Sequence, residues 1–149
     1  MTKSRSVIPA KVPLHLWLVG ILAVLWNGVG AFDYLMTETR NPSYLGSFTA
    51  EQIAYFNSMP KWAIATWAIA VWSGLLGGIL ILLRKRLAVQ VLAVSLVSAT
   101  ATFFYNFVLS NGLQAMGGAA ALVMPGVVLV IAVLLLLYSR HSASSGALQ

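Results

Sequence analysis

Four long apolar runs, residues 14–36, 62–83, 87–109 and 117–138, constrain this chain more than any other feature. Each has 22 or 23 residues. At a rise of about 1.5 Å per residue, such a run reaches about 33 Å, enough to cross a hydrocarbon layer of about 30 Å. Inside lipid no water satisfies the backbone, so runs of this length fold as helices. The sequence therefore predicts an all-α integral membrane four-helix bundle. Composition agrees: only 8% of the 149 residues are charged, against about 25% in a soluble domain. So few charges cannot cover a water-facing surface. One transmembrane domain, 14–138, accounts for the length. A basic segment, 1–13, precedes it. A tail, 139–149, follows, and its Ser, Ala and Gly content predicts disorder.

Lysine and arginine orient the bundle. Lys3, Arg5 and Lys11 precede the first run, Arg84, Lys85 and Arg86 fill the tight second connection, and Arg140 follows the fourth run. These seven fall on one side. Arg40 and Lys61 fall on the other, with all three acids, Asp33, Glu38 and Glu51. The positive-inside rule then places both termini in the cytoplasm. The net charge of +6 is thus a topology signal, reinforced by anionic headgroups of the membrane lipid. Without a basic stripe on a binding module it does not point to nucleic acid. The first run is too long for a signal peptide and no A-x-A-like site follows it, so it reads as a retained anchor.

The first connection, 37–61, holds the Asn41-Pro42 turn signal. Thr49 and Gln52 then have capping-box spacing. They predict a short amphipathic helix at the outer interface, with Ile53, Phe56 and Tyr55 toward its apolar side, stopping near Pro60. Pro125-Gly126 predicts a bend in the fourth helix.

The polar residues within the runs carry the functional question. Asp33 sits about 4–5 Å below the outer boundary, shallow enough to reach water, Arg40 or Lys61. Asn27 lies about 14 Å in, near the midplane, where an amide needs a protein partner. At 100° per residue, Ala23, Asn27, Gly30, Ala31 and Tyr34 share one face of the first helix. Thr66, Ala70, Ser73 and Gly77 share a face of the second, with Gly74 and Gly78 adding a G-x-x-x-G spacing. Ser95, Ser98, Thr102 and Asn106 share a face of the third, with Tyr105 beside it. Small residues admit close helix approach, and hydroxyls and amides bond across it. The stripes therefore predict an inward-facing polar seam. At its outer end Asn27, Asp33, Tyr34, Trp62, Thr66, Tyr105 and Asn106 are expected to line a polar and aromatic cavity. A plainer reading stands beside this one. Mid-helix Ser, Thr and Asn are most often interhelical partners, and terminal Tyr and Trp most often form the interfacial belt.

Catalysis finds no footing in the pattern. There is no cysteine, which removes dithiol redox chemistry and thiolate metal sites. His15 and His141 lie near opposite ends of the chain, so no haem is held between two mid-membrane histidines. No metal-ligand spacing, nucleophile–His–acid set or phosphate-binding glycine loop appears. No cofactor and no enzymatic activity are expected.

The stretches "LWNGVGAFDYLMTETRNPSYL" and "FTAEQIAYFNSMPKWAIATWAIAVWSG" resemble a group of small bacterial inner-membrane proteins with four transmembrane helices, many labelled sugar transporters. The architecture is also similar to DoxX-like membrane proteins, some of which are subunits of quinone-linked oxidoreductases. The resemblance is best over residues 14–78 and is architectural beyond. It implies a multi-pass protein of the bacterial inner membrane and brings no catalytic set. Three functions follow. The first is a binding or accessory protein whose outer-half cavity takes a small amphipathic ligand or a partner helix. The second is a small-solute transporter, as a homodimer joined through Gly74 and Gly78. The third is an accessory subunit of a larger quinone-linked membrane complex.

Overall fold

The computed structural model describes residues 12–149, so Lys3, Arg5 and Lys11 lie outside the described residues. These residues form helices and connections, with no strand among them. The first helix, α1, spans Leu14–Glu38. Two short helices follow in the connection, α2 at Pro42–Leu45 and α3 at Ala50–Ser58. Next come α4, Lys61–Leu82, and α5, Leu87–Phe104, which runs into a π-helical turn at Tyr105–Leu109. A short α6, Gly112–Ala115, and a 3₁₀ turn, Gly118–Leu122, lead to α7, Val123–Ser144. Four of these segments are long and apolar enough to cross a membrane.

The long helices pack as a chain. α1 lies against α4, α4 against α5, and α5 against α7. The face of α4 that makes this possible is small: Ala63, Ala70, Gly74, Gly77 and Gly78 are all buried. A Cβ added at Gly78 would meet the backbone of α1, 3.0 Å from Val24 N and 3.2 Å from Ala23 C. At Gly77 it would meet Leu92 of α5 at 2.5 Å. The G-x-x-x-G pair therefore packs within the chain, against α1 and α5. In lipid such close approach is the main source of helix association, since no solvent drives it.

The bundle has two unlike ends. At the end carrying Arg84–Arg86, called here the basic end, Leu16, Ala23, Leu80, Ile81, Ala88, Leu92, Leu135 and Leu148 form one core drawn from all four long helices and the tail. His15 and Tyr138 link α1 to α7 there, through a 2.6 Å hydrogen bond and an edge-to-face ring contact. At the other end, the loop end, a second core of Tyr55, Met59, Ala63 and Ala115 joins α3, α4 and α6. α7 contributes nothing to it. The buried residues of α7 are Leu135, Ser139 and Ser142, all at the basic end.

Three helices finish alike. α1, α4 and α7 each end on a residue of positive φ, namely Arg40 (52°), Arg84 (57°) and Gly146 (79°). In each case the next amide reaches back one full turn, Asn41 to Met36 O, Lys85 to Leu80 O and Ala147 to Ser142 O. This is the Schellman closure, whose left-handed position ordinarily holds glycine.

Three sequence expectations are corrected. The tail is ordered: Arg84 and Arg86 exchange backbone hydrogen bonds with Gln149, their guanidinium groups donate to Ala147 O, Leu148 O and Ala143 O, and Leu148 is 0% exposed. One leucine seated in the core outweighs the polar composition around it. The fourth helix does not occupy 117–138 as a single element. Gly117 and Gly118 adopt φ of 103° and 79°, a 3₁₀ turn follows, and the α-helix runs from Val123 to Ser144. Pro125 accordingly sits in the first turn of α7, where its missing N–H breaks nothing, and not at a mid-helix bend.

Candidate functional site

The seven residues expected around one cavity resolve into separate pairings. Asn27 turns toward α4. Its Oδ1 occupies the notch above Gly74, 2.1 Å from where a Cβ would stand, while its Nδ2 donates to Ala23 O of its own helix at 2.8 Å. Ser95 of α5 enters the same notch and donates to Ala70 O at 2.7 Å. Two turns nearer the loop end, Thr102 donates to Thr66 Oγ1 at 3.0 Å, and Thr66 donates to Ala63 O at 2.9 Å. These groups face each other along the α1–α4–α5 seam, as hydroxyls and amides in lipid must.

Nearer the loop end the pairings become aromatic. Trp62 meets Tyr105 edge-to-face at 5.1 Å. Tyr34 meets Trp67 the same way at 5.1 Å, and Phe56 of α3 stacks on Trp67 at 6.4 Å. The series continues through Phe48 and Tyr44 to Phe32 on α1. Each such pair adds about 0.5–1.5 kcal/mol beyond burial, so the first connection is strapped onto the bundle. Asp33 does not meet Arg40 or Lys61: the Tyr44 phenol donates to its Oδ1. Burial first, then this hydrogen bond and the Asp33 charge, push the Tyr44 phenol up to about 12.

Asn106 is held by the loop. Tyr55 of α3, placed by the Thr49–Gln52 capping box, donates to Asn106 Oδ1 at 2.9 Å and lies 2.8 Å from Ser110 Oγ. The π turn brings Asn106 and Ser110 to the same phenol. Gly112 leaves room for it, since a Cβ there would fall 2.3 Å from Asn106 O and 2.6 Å from Tyr55 Oη. Burial raises the Tyr55 phenol above its ordinary value, opposed by the Ser110 hydrogen bond and aided by Tyr105.

Two open spaces lie at the loop end. A recess of about 70 Å³ is lined by Thr37, Glu38, Arg40, Phe56, Asn57 and Ile64. A shallower groove of about 210 Å³ runs between α3 and α6, past Glu51, Tyr55, Ser58 and Asn111. Neither contains one of the seven expected residues. Tyr44, Tyr55 and Trp67 complete the pairings, and Thr37 carries the unfilled hydrogen-bonding capacity: its Oγ1 is the buried side-chain atom without a partner among the described residues. A tyrosine in a polar turn and a threonine just past an apolar run give no sequence signal of such roles.

Among the described residues, no group of three or more His, Asp and Glu side chains converges as a metal site. The arrangement offers hydrogen bonds, aromatic faces and apolar helix surface. Against family models, curated proteins and solved structures alike, the chain finds no match.

Proposed function

We propose that this chain is a multi-pass membrane protein that binds a small amphipathic molecule or a partner's helix in the outer half of the bilayer, without chemistry of its own. One observation carries the reading. All four long helices close into a core at the basic end, yet α7 takes no part in the core at the loop end. From Val123 to Leu134 none of its residues is buried. A long apolar surface suits an amphipathic occupant. The amide of Asn27, whose Oδ1 accepts no hydrogen bond among the described residues, offers a polar contact at mid-depth. The basic residues favour cytoplasmic termini and an outward-facing strap, with α3 at the interface. The resemblance favours the bacterial inner membrane.

A photoreactive side chain at Val130, exposed on α7, tests this reading in native membranes. A discrete cross-linked small molecule or protein is expected, identified by mass spectrometry. Products matching bulk lipid composition alone would refute it. A chain-to-chain product would instead favour the small-solute transporter reading, with α7 as the dimer surface. A stoichiometric oxidoreductase subunit would favour the accessory role in a quinone-linked complex.

A further inference from the structure

The recess beneath Arg40 is built unlike the rest of the loop end. It lies where α1 leaves the membrane-spanning region, between α1, α3 and the start of α4. Its floor is apolar, Phe56 and Ile64, with Phe56 held against Trp67. Its walls are polar and of both charges: Arg40, Glu38 and the Asn57 amide. Thr37 is 5% exposed, lines the recess, and its hydroxyl lacks a partner among the described residues. A buried hydroxyl with nothing to bond to is costly, so a turn about its Cα–Cβ bond toward an occupant that accepts its proton is favoured. Arg40, in a left-handed position ordinarily given to glycine, is one of the residues that line the recess.

We propose that this recess seats the phosphoethanolamine headgroup of a lipid in the adjacent leaflet. Arg40, Thr37 and Asn57 supply donors for the phosphate oxygens, guanidinium being the cation best suited to them. Glu38 accepts from the ammonium. That carboxylate separates the candidates. It disfavours free phosphate, which is doubly charged, and a phosphoglycerol headgroup, which has no cation. A trimethylammonium group has no N–H to donate. The site is distinct from the surface of α7, so its failure would leave the preceding proposal standing.

The test uses the delipidated full chain in detergent, offered equal amounts of phosphatidylethanolamine, phosphatidylcholine and phosphatidylglycerol, with adducts counted by native mass spectrometry. The expected result is one retained phosphatidylethanolamine, preferred about tenfold. Arg40→Asn keeps a residue that tolerates positive φ and should lower retention about tenfold. Thr37→Val, close in shape, should lower it severalfold at an unchanged unfolding midpoint. Glu38→Gln should erase the preference over phosphatidylglycerol. Soluble phosphoethanolamine should compete and inorganic phosphate should not. Equal retention of the three lipids, or undiminished retention by Arg40→Asn, would overturn the proposal and leave water as the partner of Thr37. Equal competition by inorganic phosphate would overturn the assignment to a zwitterion.

Discussion

Replacing Gly74 with alanine puts a methyl carbon 2.1 Å from Asn27 Oδ1, 2.9 Å from its Cγ and 3.0 Å from Ser95 Oγ. The amide must leave its notch and its bond to Ala23 O. Overpacking of this kind costs about 1–3 kcal/mol, while alanine regains about 1 kcal/mol of helix propensity over glycine. The single substitution should therefore lower stability by about 0–2 kcal/mol, too wide a range to decide anything alone. A double-mutant cycle with Asn27→Ala isolates the clash. Without the amide, Gly74→Ala should become neutral or stabilising by up to about 1 kcal/mol, giving a coupling of about 1–3 kcal/mol. Gly78→Ala with Val24→Ala is the control. The obstruction there includes Val24 N and Ala23 C, so trimming the side chain should rescue little. Reversible unfolding by SDS titration in mixed micelles reads both cycles. A Gly74–Asn27 coupling below about 0.5 kcal/mol would show that Asn27 does not pack into α4.

Asp33→Asn removes the charge that helps hold the Tyr44 proton and leaves burial, the largest cause, in place. Its phenol should then titrate below about 12, by ultraviolet difference spectroscopy. Because the folded-state value is raised, the associated stability is full below about pH 10 and is lost as pH climbs through about 12. An unmoved titration would break the Tyr44–Asp33 assignment. Leu148→Ala should cost the tail about 2–3 kcal/mol of docking, seen as faster amide exchange at 145–149 with the helices unchanged. Thr102→Val should cost about 0.6 kcal/mol, at most about 1.7, as interhelical hydroxyl bonds in bilayers do. The same loss in a Thr66→Val background would remove the proposed pairing.

Much of the architecture is legible because lipid imposes it. A run of 22 apolar residues has few alternatives, and the seam of Asn27, Gly74, Ser95, Thr66 and Thr102 follows from 100° periodicity. What hydropathy cannot supply is helix type. Residues 105–109 and 118–122 are as apolar as their neighbours, yet one is π and the other 3₁₀. Nor does it mark where α7 ends, since the polar Ser139 and Ser142 are buried. Asp33 and Asn106 take phenols from the first connection, Tyr44 and Tyr55, and no face of a single helix predicts a partner from a loop. Arg40 and Arg84 hold positions where glycine would have marked the helix ends openly.

The widened turn at Tyr105–Leu109 has a bearing on how this chain tolerates changes in length. A π turn houses one residue more than the α turn it replaces. Deleting a single residue there would let α5 rewind without shortening its lipid crossing by a full register step. The same deletion elsewhere in a span would rotate every following side chain by about 100°. Repair of the spiral would swing Asn106 away from Tyr55, so the spare residue is kept at the expense of regularity and for the sake of one phenol.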